Sequence, residues 1–129
     1  MDRFFYTPEF ENTVDELLNL IGLKREDVFD SDISFALRAV TTDNEKEYEV
    51  MVEAPGATQD MVDVQFKDDI VTVKVDYGKD GKLRTGKYAW AKKFKDVNGE
   101  GITGTLNGGM LTITLPKKPE SQPQKIKIN

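Results

Sequence analysis

Residues 104–118 read Gly104-Thr105-Leu106-Asn107-Gly108-Gly109-Met110-Leu111-Thr112-Ile113-Thr114-Leu115-Pro116-Lys117-Lys118. Leu111, Ile113 and Leu115 alternate with Thr112 and Thr114, the period-two pattern of a strand with one apolar face. Pro116, which cannot donate to a ladder, ends it. The same period recurs upstream. Tyr48, Val50 and Val52 alternate with Glu47, Glu49, Met51 and Glu53, until Ala54-Pro55-Gly56 breaks the run. Val62, Val64 and Phe66 alternate with Asp63 and Gln65, Lys67-Asp68-Asp69 reads as a turn, and Val71, Val73 and Val75 alternate with Thr72 and Lys74. Weaker strands are expected at Phe35–Val40, Tyr88–Lys95 and Ile102–Leu106. Seven or more short strands separated by turn signals predict an all-β, immunoglobulin-like β-sandwich.

The flanks obey other rules. In the first ten positions stand Phe4, Phe5, Tyr6 and Phe10, four of the eleven Phe and Tyr residues of the chain. Thr13 and Glu16 have capping-box spacing, and Val14, Leu17, Leu18 and Ile21 fall on one face of a helix that Gly22 would stop. A helix of about two turns is marginal by itself, so its apolar face needs a partner. At the other end, 118–124 is polar with two prolines and reads as an extended tether. It leads to Ile126-Lys127-Ile128, two β-branched side chains on one side of an extended segment. The sequence thus divides into an arm with a short amphipathic helix (1–33), a sandwich (34–117) and a flexible C-terminal extension (118–129).

A chain of 129 residues has the length of one domain. It contains no Cys and no His, which removes thiol nucleophiles, disulfides, Cys/His zinc sites, imidazole bases and Ser-His-Asp triads. The net charge is −5, and residues 1–33 account for −6 against +1 for the rest. An acidic chain neutralises phosphates poorly, so no nucleic-acid partner is expected. No stretch approaches the roughly 20 apolar residues of a membrane span. The opening Met-Asp-Arg-Phe-Phe-Tyr turns polar without the apolar run of a signal peptide, and a soluble cytoplasmic protein is expected.

Three motifs, in order, resemble the small heat-shock protein family with its α-crystallin domain, most closely the bacterial branch. Residues 104–118 are similar to the family's A-x-x-x-N-G-V-L-x-[IV]-x-[LVI]-P-K, with Gly104 in place of Ala and Gly108 in place of Asn. Tyr48–Gly56, followed by Asp60 and the Val62–Phe66 strand, is the second match. Ile126-Lys127-Ile128 is the third, an I-x-I tail. Trp90-Ala91-Lys92-Lys93-Phe94 is similar to the family's aromatic-x-Arg-x-Phe strand, with Lys92, which lacks the planar guanidinium fork, replacing Arg.

The resemblance implies a function and a set of sites. The function is that of an ATP-independent holding chaperone that forms homo-oligomers from dimers, covers apolar surface on unfolding client proteins, and passes them to ATP-dependent refolding chaperones. It implies no cofactor and no catalysis. Ile126 and Ile128 would anchor the tail in a neighbour's groove between the strand of Val62, Val64 and Phe66 and the strand of Ile102 and Leu106. Phe4, Phe5, Tyr6, Phe10, Val14, Leu17, Leu18 and Ile21 would serve assembly and client capture. Leu83, Trp90, Lys92 and Phe94 would lie at the dimer interface, and the short segment between Asp76 and Tyr88 corresponds to one that swaps between partners in non-animal relatives. The alternative is a non-catalytic co-chaperone or scaffold without holding activity; the arm residues have a separate, plainly structural reading as cover for the sandwich core.

Weaker signals read as structure. Gly99-Glu100-Gly101-Ile102-Thr103-Gly104 matches G-x-G-x-x-G but precedes a strand-type run, where a dinucleotide fold needs a helix. The aspartates at 60, 63, 68, 69, 76 and 80 lack calcium-loop spacing.

Overall fold

The computed structural model describes residues 2–4, 33–35, 37–123 and 126–128. Their strands are β1 (Asp2–Phe4), β2 (Ile33–Phe35), β3 (Ala39–Asp43), β4 (Glu47–Glu53), β5 (Val62–Lys67), β6 (Ile70–Asp76), β7 (Lys87–Lys93), β8 (Thr103–Asn107) and β9 (Met110–Pro116). They form two sheets, one ordered β1-β8-β9-β4-β3 and the other β2-β7-β6-β5. Every pairing is antiparallel.

The alternation selects the face that each strand buries. In the first sheet Val50 and Val52 of β4 and Leu111, Ile113 and Leu115 of β9 turn inward, fully buried. In the second sheet Val62, Val71, Val73, Val75 and Trp90 meet them. Register follows: Val50 pairs with Ile113 and Val73 with Trp90, so a one-residue slip would drive a whole apolar row outward. The opposite face of the second sheet is buried too. Gln65, Thr72 and Ala91 stand in one cross-strand row, and they, Ile70 and Ala89 are all inaccessible.

Two tight turns fix the hairpins. Asp68 and Asp69 have φ of 53° and 64°, and Gly108 and Gly109 have 58° and 80°. Positive φ at both central residues is the primed two-residue turn, whose twist matches that of the strands it joins. Gly109 is further constrained, since a Cβ there would lie 3.0 Å from Pro55 Cα.

The strand expected at Phe35–Val40 is two strands in different sheets. Ile33–Phe35 pairs with β7 and Ala39–Asp43 with β4. Between them Leu37, 1% exposed, drops into the core as the chain changes layers. The strand at Asp2–Phe4 was not expected from the sequence. The helical segment expected at 13–21 lies outside the described residues.

Candidate functional site

The two sheets leave a groove along one side of the sandwich, between β5 and β8. It encloses about 520 Å³. Val64 and Phe66 of β5 form one wall, and the stretch from Gly99 to Gly104, a 3-10 turn running into β8, forms the other. Val71 and Ile113, both in the core cluster, lie at its base. Small residues open the second wall: a Cβ at Gly99 would sit 3.4 Å from the Phe66 ring. β5 ends its sheet, and among the described residues no strand pairs with its outer side. An apolar trough beside a strand edge suits an extended peptide with alternating apolar side chains, its backbone adding to the edge ladder.

Of the residues expected to form this groove, Val64, Phe66 and Ile102 line it. Val62 and Leu106 are not among its lining residues and lie in the core cluster, at 5% and 6% exposure. Sequence reasoning missed Gln65, Val71, Gly99, Glu100, Thr103, Gly104 and Ile113 as lining residues. Gly104 and Ile113 are cross-strand partners, and the wall at 99–101 is a loop that no periodicity announces. This glycine-rich run leads into a strand and offers no helix N-terminus for a phosphate.

The outer edge of β8 is already paired. β1 runs antiparallel along it, with Asp2 opposite Leu106, Arg3 opposite Thr105 and Phe4 opposite Gly104. The other residues expected in a client-binding arm, Phe5, Tyr6, Phe10, Val14, Leu17, Leu18 and Ile21, lie outside the described residues.

The tail leaves from a firmly held root. The Lys117 amide donates to Lys46 O at 2.8 Å and the Lys118 amide to Asp96 O at 2.7 Å. Lys117 Nζ donates to Asp43 Oδ1 at 2.6 Å and sits 4.7 Å from the centroid of the Tyr48 ring. The hydrogen bond from Lys117 to Asp43 holds its ammonium above the ordinary lysine range. Beyond a 3-10 turn at Pro119–Ser121, Ile126 and Ile128 project into solvent, 83% and 89% exposed.

The expected dimer-interface set divides. Trp90 and Phe94 are buried in the protomer's own core, 0% and 2% exposed, and present no surface to a partner. Their alternation with Ala91 and Lys93 shows which side chains share a face, and that face points inward. Lys92 is half-buried with Nζ 5.7 Å from the centroid of the Phe94 ring. Leu83 is 71% exposed. It stands in the loop between β6 and β7, which contains no strand and closes on itself through Tyr77 N to Gly86 O, 2.9 Å, and Gly86 N to Gly78 O, 2.8 Å. Arg84 covers the Tyr88 ring at 5.1 Å, and burial pushes the Tyr77 phenol up, against the pull of Arg84.

Two facing antiparallel sheets, a peptide-sized groove at one side and a protruding apolar tail define a β-sandwich of the small heat-shock protein class. The chain belongs to the Hsp20/alpha crystallin family, whose profile matches residues 40–129. It is 30% identical to small heat shock protein C4 of Rickettsia felis over 71% of this chain and 63% of that one. It is 27% identical to spore protein SP21 of Stigmatella aurantiaca over 63% of this chain and 54% of that one. The chain thus spans less than two thirds of either relative. Among solved structures, heat shock protein 16.0 of Schizosaccharomyces pombe has the same fold, with a TM-score of 0.61 and 21% identity over 74% of this chain and 99% of that one. Among the described residues no helix is long and apolar enough to cross a membrane.

Proposed function

We propose that the protein is an ATP-independent holding chaperone of the cytoplasm, without cofactor or catalysis, that assembles into homo-oligomers from dimers. The observation that carries this reading is the pairing of an apolar edge groove with an exposed Ile-x-Ile tail in a chain of the Hsp20/alpha crystallin family. The tail of one subunit docks in a neighbour's groove as an added strand, with Ile126 and Ile128 filling the positions beside Val64, Phe66 and Ile102. Burial of each isoleucine is worth about 1.5–3 kcal/mol before the cost of ordering the tail. One such contact is weak, and many in one assembly hold through effective concentration. The assembly is therefore stable and still exchanges subunits.

Client capture is hydrophobic and needs no bond chemistry. The aromatic N-terminal arm supplies apolar surface, its excess of acidic residues keeps client complexes soluble, and ATP-dependent chaperones refold what is held. Leu83 and the half-buried Lys92 are the candidates that remain for contact between the partners of a dimer. The test is light scattering of a heat-labile client warmed with and without the protein, in the absence of nucleotide. Suppression near equal subunit ratios is expected. Undiminished scattering at large excess, with the sandwich intact by circular dichroism, would refute holding activity and leave a scaffold or co-chaperone.

A further inference from the structure

We infer that the outer face of the sheet β2-β7-β6-β5 is the seat of the protein's own acidic arm, with Val14, Leu17, Leu18 and Ile21 lying on the row Gln65-Thr72-Ala91. The arm then has two parts: one that completes the sandwich, and an aromatic part left for other contacts. This divides the arm of the holding reading and does not depend on holding activity. The face points away from the core, and the other sheet lies on the core side. No described strand lies over it, yet Gln65, Ile70, Thr72 and Ala91 are closed to solvent. Even Lys67, Lys74 and Lys93, on the same face, are half-buried. The cover is apolar. Both ends of the Gln65 amide and the Thr72 hydroxyl are buried without a hydrogen-bond partner among the described residues. A polar cover would pair them, whereas an apolar one shuts water out and leaves them unpaired.

Chain continuity names the occupant. Residues 5–32, outside the described residues, end where β2 begins, and β2 lies on β7 with Ile33 opposite Ala91 and Phe35 opposite Ala89. The chain therefore enters the sheet at the edge of this same face. The eleven residues 22–32 span up to about 36 Å when extended, and three paired strands are only about 10 Å across. Residues 14–21 reach any part of the face from there. Their apolar stripe, at helical spacing, is about 12 Å long and too short to be stable without a partner. The small side chains of Thr72, Ala89 and Ala91 give it a shallow floor. Charge agrees as well. Residues 5–32 carry eight acidic and two basic side chains, while the face carries Lys67, Lys74, Lys87 and Lys93 against Asp63 and Asp76. Asp15 and Glu16 stand within the stripe's own segment, next to its apolar residues in sequence.

Carbodiimide, which joins only carboxylates and amines already in contact, tests this on the unaltered protein. Peptide mapping should find Glu11, Asp15 or Glu16 joined to Lys67, Lys74 or Lys93 within one chain. The Lys117–Asp43 ion pair, at 2.6 Å, is the internal standard. The standard without any such arm link would overturn the seat. Links that form only between isotopically labelled and unlabelled chains would overturn the assignment to the protein's own arm. Stability gives a second reading. Leu17→Ser with Leu18→Ser should lower the urea midpoint by about 1 M, because the stripe no longer covers the sheet. Phe5→Ser with Phe10→Ser should leave the midpoint in place. A Leu17 and Leu18 variant with the parent's midpoint would overturn the seat, and equal lowering by both pairs would overturn the division of the arm. Neither measurement uses a client, so failure of the holding reading and failure of this inference are told apart.

Discussion

Thr72 is wholly inaccessible, and among the described residues its Oγ1 has no hydrogen-bond partner. A buried hydroxyl left unpaired carries its desolvation penalty without return, about 1–3 kcal/mol. Valine has the same shape and suits a strand, so Thr72→Val is expected to stabilise the sandwich by about 1 kcal/mol, read as a higher urea midpoint with unchanged slope. The two glycines of the β8–β9 turn separate conformation from crowding. Both have positive φ, yet a Cβ at Gly108 would meet nothing within 4 Å, while one at Gly109 would meet backbone at Pro55. Asparagine tolerates the left-handed region and is favoured at the first central position of such a turn. Gly108→Asn should therefore keep or slightly raise the thermal midpoint. Gly109→Asn should lower stability by about 2 kcal/mol, because the Pro55 backbone against its Cβ cannot give way cheaply. Equal midpoints for the two variants would refute the crowding argument.

At the scale of the element, the hairpin of β5 and β6 carries a charge pair on the face opposite the core. Asp63 stands opposite Lys74, but burial outweighs that attraction and Asp76 adds to it, so the Asp63 carboxyl is held above its ordinary value of 3.8. A raised carboxyl binds its proton more tightly folded than unfolded, so it opposes folding as pH rises through the interval between the two values. Asp63→Asn should remove that decline: urea midpoints measured from the acid range to neutrality should fall less with pH than in the parent. An unchanged pH profile would contradict the burial argument. The long strands of this hairpin, of β4 and of β9 were legible in the sequence because the face each turns to the core is apolar and the opposite face carries polar residues, which writes a period of two into Val62–Phe66, Val71–Val75 and Leu111–Leu115. β1 and β2 were not, because three residues cannot show a period. Alternation also states only which residues share a face. It could not say that Trp90 and Phe94 turn to the core. In the groove, Val64, Phe66 and Ile102 were found through the family's pattern, whereas Gly99 matters for the side chain it lacks.

For the whole molecule, what counts is how many weak contacts act together. The tail root is fixed by the Lys117 and Lys118 amides and the Lys117–Asp43 pair, so the tail starts from a defined place on the sandwich. Two exposed isoleucines at its end contribute about 3–6 kcal/mol of burial when docked, most of which ordering and association consume. In the proposed assembly a single docked tail would be a transient contact, and a shell of subunits closed by many tails would be long-lived only because each released tail rebinds at high local concentration. Loss of both isoleucines removes the whole term from every contact at once. Ile126→Ala with Ile128→Ala is therefore expected to reduce the assembly to dimers or smaller species on a sizing column with light-scattering mass. The folded sandwich should be unaffected, since both side chains are more than four-fifths exposed in the protomer and contribute nothing to its core. Single substitutions should give intermediate masses that grow with protein concentration, the mark of a weakened cooperative assembly. An assembly that keeps its mass after the double change would show that the oligomer closes through other surfaces and that the groove between β5 and β8 serves some other extended peptide.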